Sequence, residues 1–162
     1  MIKDTFWKNK NVFITGVAGF VGLNLAKNLT LCGANVFGLT LNKKVKSLLY
    51  FENIDKKINL IFGDITNKKL LKNIFLKHKI HVCFHLAAQV EVGSALKYPY
   101  LTWETNIRGT YTLLEVIREN KKKIRSIIIA SSDKAYGDYP LNSLPYKENY
   151  QLKPNFPYDT SK

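Results

Sequence analysis

Residues 11–22 read NVFITGVAGFVG, a short apolar run followed at once by three spaced glycines. Its first five residues are β-branched, aromatic or otherwise suited to a strand. Gly16, Gly19 and Gly22 follow at once, and a helical pattern over about 20–32 begins before they end. Glycine at such a junction permits a tight turn and lets backbone N–H groups come close to an anion, which the positive end of a helix favours. A trio of glycines alone is a weak signal; its place between the first strand and the first helix is what gives it weight.

The same alternation of strand and helix continues along the chain. Strands are expected at NVFIT (11–15), NVFGLT (35–40), INLIFG (58–63), HVCFHLA (81–87) and RSIIIAS (125–131), with helices near 20–32, 66–79 and 99–120. In the last helix Thr102, Thr105 and Asn106 stand near the start, and Ile107, Tyr111, Leu114 and Ile117 recur at helical spacing. RSIIIAS is an almost continuous apolar run, the pattern of a strand covered by helices on both faces. Repeated strand–helix units with buried strands predict an α/β fold, a Rossmann-type doubly wound parallel sheet. No internal repeat or low-complexity linker divides the chain, so one domain over 1–162 is expected. After residue 131 the character changes: SSDKAYGDYPLNSLPYKENYQLKPNFPY holds four of the five prolines and reads as a long, ordered or semi-ordered loop, of a length that is usually either functional or disordered.

The formal charge of +13 raises a nucleic-acid partner, but its distribution argues against one. Lysines are spread singly or in pairs, arginine is confined to Arg108, Arg118 and Arg125, and the triple Lys121–Lys123 follows an apparent helix, where the helix dipole favours cations. Cys32 and Cys83 are isolated in apolar surroundings, without metal-ligand spacing, and read as buried free thiols of a reducing compartment. The lysines before the first apolar stretch resemble a leader, but Thr15, the three glycines and Asn24 interrupt it. No segment reaches the roughly 18 apolar residues needed to span a bilayer, so a cytoplasmic location is expected, with no membrane partner.

The glycine turn predicts a dinucleotide site, with the pyrophosphate at Gly16, Gly19 and Gly22 and with Phe20 inside the same turn. The acidic residue that would bond the adenosine ribose is missing; by spacing its place falls on Thr40, followed by Lys43 and Lys44, and the choice between NAD and NADP stays open. Asp64 in FGDIT and the segment HLAAQ (85–89) fall on the carboxyl edge of the sheet, where ligands bind in open α/β sheets. Ala87 and Ala88 are small enough to let backbone approach a cofactor, or simply to pack a turn. His78 and His81 read as surface residues at a helix end; His85 is either core or pocket.

TGVAGFVG, GDIT, HLAAQ, TNIRGTYTLLEVIR, SSDKAYG and PYDTSK, in this order, resemble the extended short-chain dehydrogenase/reductase family of nucleotide-sugar enzymes, the NAD-dependent epimerases and dehydratases. FWKNKNVFITG with SSDKAYG is most similar to its CDP-glucose 4,6-dehydratase group. Tyr158 and Lys162 are four apart and would share one face of a helix. The resemblance implies that Tyr158, its pKa lowered by Lys162 and the nicotinamide, removes the proton of the sugar 4-hydroxyl, with Ser132 orienting that hydroxyl. It further implies that Asp133 protonates the departing C6 hydroxyl and Lys134 assists at C5, whereas epimerases carry small or neutral residues there. For NAD it implies Gly16, Gly19, Phe20 and Gly22, then Thr40, Asp64 and Ile65, then Ala87, Ala88 and Asn106, with Tyr158 and Lys162 at the nicotinamide ribose.

The implied substrate is a nucleotide sugar, CDP-glucose, and the implied assembly a homodimer; a 4-epimerase and a non-catalytic dinucleotide-binding remnant are the alternatives. Members of the family run to about twice this length, treating about 150 residues as one domain. The chain is therefore expected to be an N-terminal half without the substrate-binding part. By itself it is expected to bind dinucleotide weakly and turn nothing over.

Overall fold

The computed structural model describes residues 5–42, 47–120 and 124–162. Lys43, Lys44 and the Lys121–Lys123 triple lie outside the described residues. Five strands, β1 (Asn11–Thr15), β2 (Asn35–Thr40), β3 (Asn59–Phe62), β4 (Val82–His85) and β5 (Ser126–Ile129), form one parallel sheet in the order β3-β2-β1-β4-β5. The helices are α1 (Phe20–Leu31), α2 (Leu48–Phe51), α3 (Lys68–His78), α4 (Val92–Lys97), α5 (Pro99–Trp103), α6 (Gly109–Glu119) and α7 (Pro157–Thr160).

Side chains alternate across a strand, so β1 feeds two cores at once. Val12 and Ile14 pack with Leu23, Ala26 and Leu29 of α1 and Leu49 of α2. Phe13 faces the other way, onto Leu71, Ile74 and Phe75 of α3 and Leu113, Val116 and Ile117 of α6. With helices on both faces, the sheet is doubly wound as expected. From β3 at one edge the chain returns across the sheet to β4 on the far side of β1. The carboxyl ends of β1 and β4 therefore meet at the point where strand order reverses, and the register pairs Thr15 with His85 there.

Three expectations need correcting. β5 is not covered on both faces: Ile127, Ile128 and Ile129 are 37%, 42% and 42% exposed. Among the described residues β5 is the last strand of the sheet, so its apolar run lacks a further strand to pair with. Cys32 caps the end of α1 and is only half-buried, whereas Cys83 is buried in β4, where desolvation pushes its thiol up to about 12. The single helix expected over 99–120 is three pieces, with a π-helical turn at Glu104–Arg108 between α5 and α6. The short helices α2 and α4 carry too few turns for a periodic pattern to mark them.

The proline-rich segment after β5 is ordered, and tyrosines order it. Tyr136 stacks on Tyr146 and Tyr139 on Tyr150, both with ring centroids 5.0 Å apart, while Tyr139 meets Tyr146 edge-on. The hydroxyls of Tyr146, Tyr150 and Tyr139 donate to the carbonyls of Gly137, Ser143 and Gln151 within the same loop. No helix among the described residues is long and apolar enough to cross a membrane.

Candidate active site

At the carboxyl end of β1, Gly16 has φ +70°, and a Cβ there would lie 2.8 Å from the backbone nitrogen of Ala87. A Cβ on Gly22 would lie 2.4 Å from the Gly16 carbonyl. These two glycines therefore bring the turn onto the β4 loop and α1 onto the turn. Gly19 is the N-cap of the twelve-residue α1 and contributes no side-chain cap, so the free N–H groups of the first turn open onto the cleft in front of them. That cleft encloses about 480 Å³. Gly16, Gly19, Phe20 and Gly22 line one wall, Thr40, Asp64 and Ile65 a second, and Ala87 and Ala88 a third. Asp64 is exposed, and its carboxylate accepts the N–H and hydroxyl of Thr66 in its own turn; the cap of α3 is Asn67.

Ala87 and Ala88 also line a second cleft of about 290 Å³, together with His85, Asn106, Tyr111, Ile129, Ser161 and Lys162. The loop between the two clefts is clamped at both ends. The Thr15 hydroxyl accepts the N–H groups of Leu86 and Ala87 at 3.1 and 3.0 Å. The Asn106 carboxamide accepts the Gln89 N–H at 2.7 Å and donates to the Gln89 carbonyl at 3.0 Å. Asn106 is 4% exposed and sits in the π turn, where the wider backbone spiral presents it to this loop. The same carboxamide donates to Ser161 Oγ at 2.8 Å, tying the loop to the Tyr158–Lys162 segment.

His85 is buried and lies between the Thr15 and Thr110 hydroxyls, so it is both core and pocket wall. His78 and His81 are half-buried where α3 meets the sheet; His81 Nδ1 accepts the Asn11 N–H and His78 packs on Phe37.

Ser132 caps a 3₁₀ turn at Asp133–Tyr136: its Oγ accepts the Lys134 N–H and donates to the Asp133 carboxylate at 3.0 Å. This turn packs against α7, which carries Tyr158. The helical face expected to hold Tyr158 and Lys162 together is shorter than four residues require, because α7 ends at Thr160 and the Lys162 N–H closes back onto the Asp159 carbonyl. The half-buried Lys162 ammonium instead donates to the Ala130 carbonyl at 2.7 Å, at the end of β5, and desolvation lowers its pKa. Ser131 Oγ in turn donates to the Lys162 carbonyl. Ser132, Asp133, Lys134 and Tyr158 are thus gathered beside the second cleft without lining it.

Sequence reasoning did not single out Thr15, Gln89, Thr110 or Ser161. The partners that draw them into the site lie 17 to 72 residues away, beyond any local pattern. Among the described residues no His, Cys, Asp and Glu cluster suits a metal ion.

The family described as GDP-mannose 4,6 dehydratase matches residues 13–162. The CDP-glucose 4,6-dehydratase of Salmonella typhimurium is 34% identical over 163 residues, covering 100% of this chain and 45% of that protein. In fold, the chain is similar to the UDP-glucose 4-epimerase of Thermotoga maritima solved with UDP-glucose, at TM-score 0.83 and 28% identity, over 94% of this chain and 47% of that one. It is also similar to the Bifidobacterium longum UDP-glucose 4-epimerase solved with NAD+ and UDP, at TM-score 0.82 and 26% identity, over 94% and 46%. The curated relatives include 4,6-dehydratases and 4-epimerases alike, and the chain spans about half their length.

Proposed function

The chain belongs to the GDP-mannose 4,6 dehydratase family, and on that premise we propose that residues 1–162 form the cofactor-binding domain of a cytoplasmic, NAD-dependent CDP-glucose 4,6-dehydratase. The glycine contacts and uncapped start of α1 support a pyrophosphate at Gly16, Gly19, Phe20 and Gly22. Thr40, Asp64 and Ile65 then take the adenosine half, and Ala87 and Ala88 flank the nicotinamide, with Asn106 holding their loop in place. NAD, when bound, supplies a hydride acceptor at C4 and returns the hydride at C6.

Tyr158 takes the proton of the 4-hydroxyl, Ser132 orients that hydroxyl, and Lys162 provides positive charge beside the base. Asp133 gives a proton to the departing C6 hydroxyl, and Lys134 assists removal of the C5 proton; C5 regains a proton as the hydride reaches C6. The observation that carries this reading is the Asp133–Lys134 pair, set directly after Ser132 in a turn packed on the helix of Tyr158. The reading extends to a homodimer of a polypeptide of the relatives' length.

A 4-epimerase is the second reading, favoured by the solved structures similar in fold. The test uses a polypeptide of the relatives' length containing residues 1–162, incubated with CDP-glucose. A 4-keto-6-deoxy product is expected; CDP-galactose alone would put the epimerase in its place. Asp133→Asn with Lys134→Met should slow water loss by about a hundredfold while C4 oxidation in a single turnover persists, and Tyr158→Phe should remove both. Equal loss of both steps in the double variant would make the pair structural.

A further inference from the structure

We infer that His85 is a positioning residue, a neutral imidazole protonated on Nε2 that couples the Leu86–Ala88 loop to the π turn carrying Asn106. The wall of the larger cleft and the anchor of the Tyr158–Lys162 segment are then held at one fixed separation.

Counting donors fixes the tautomer. A hydroxyl has one proton and two acceptor lone pairs. Thr15 Oγ1 already accepts two N–H groups, from Leu86 and Ala87, so its proton goes to His85 Nδ1, 2.7 Å away. Nδ1 is therefore the bare nitrogen. At the other side of the ring, the Thr110 hydroxyl donates to the Asn106 carbonyl, which leaves its oxygen to accept from Nε2 at 2.8 Å. The two ends demand the same tautomer independently, and every group in the chain is satisfied.

The chain runs from two loop amides through Thr15, His85 and Thr110 to the Asn106 carbonyl. Asn106 then returns to the same loop at Gln89 and reaches Ser161. Loop, helix and the Tyr158–Lys162 segment are thereby joined in a closed hydrogen-bonded circuit, with the 3% exposed ring at its centre. A second ring proton would remove the acceptor that Thr15 needs, and the Lys162 ammonium, just past the end of α7, is the charged group that acts on the ring.

What the loop does in catalysis rests on the dehydratase reading. The tautomer and the coupling do not, and both are measured without substrate. Long-range proton–nitrogen correlation spectra of the ¹⁵N-labelled chain at neutral pH should show His85 with bare Nδ1 and protonated Nε2, with His78 and His81 as internal references. Thr110→Val should speed hydrogen exchange of the Leu86 and Ala87 amides on the order of tenfold, the scale of one lost hydrogen bond, while the Phe37 amide is unchanged. Thr110→Ser, which keeps the hydroxyl, should restore the rate. An Nδ1-protonated or charged His85 would overturn the inference, as would Leu86 and Ala87 amides indifferent to Thr110→Val. The tautomer of the unmodified chain decides the matter if that variant does not fold.

Discussion

His85 links the site to pH. Burial, and secondarily the Lys162 ammonium, pushes its pKa down to about 4 from an ordinary 6.5. The unfolded chain binds this proton as pH falls through about 6.5, but the folded chain only near 4. Between those values the unfolded state holds more protons, so the contribution is complete above about pH 6.5 and is lost as pH falls towards 4. It amounts to about 3 kcal/mol. Burial lowers the pKa of His78 and His81 in the same direction, so the part due to His85 needs a variant. In urea titrations, the stability lost between about pH 7 and about pH 4 should shrink in His85→Phe, whatever that variant's stability at neutral pH. A full-sized loss would show that the ring is not the titrating group. The sequence left His85 between core and pocket because its two threonine partners stand 70 and 25 residues away.

At the scale of elements, the loop after β5 is held by aromatic faces rather than by backbone ladders. Tyr146 is its keystone: it stacks on Tyr136, meets Tyr139 edge-on and donates to the Gly137 carbonyl at 2.9 Å. Two aromatic contacts and one hydrogen bond make Tyr146→Ala cost about 2 kcal/mol of local stability. Limited proteolysis should then cut within 137–156 while the urea midpoint of the sheet domain moves little; a loop that stays resistant would contradict this account. The prolines announced a loop, but the pairing of its tyrosines depends on how the chain folds back. The long helix shows the same division. Helical spacing marked residues 99–120, yet the π turn at Glu104–Arg108 sets Asn106 against Gln89 and Ser161, partners 17 and 55 residues away.

At the scale of the molecule, the sheet is sealed by helices around β1 and, among the described residues, open at β5. A strand edge with three isoleucines 37–42% exposed is a template for pairing with another chain. The 162-residue chain should therefore self-associate as its concentration rises. Ile128→Lys should lower light scattering and change unfolding stability by no more than about 0.5 kcal/mol, as for an exposed site. Unchanged scattering would place the sticky surface elsewhere. By itself the sequence determined the α/β class, the five strands and the glycine turn, because residue alternation, helical period and glycine's missing Cβ act within a few residues. Only the tertiary structure decided that Thr15, His85, Thr110 and Asn106 clamp one loop, that Lys162 turns to the Ala130 carbonyl, and that β5 lies open. Each of these depends on which distant groups satisfy a buried donor or cover an apolar face, and a parallel sheet brings such groups together only after its strands have crossed over.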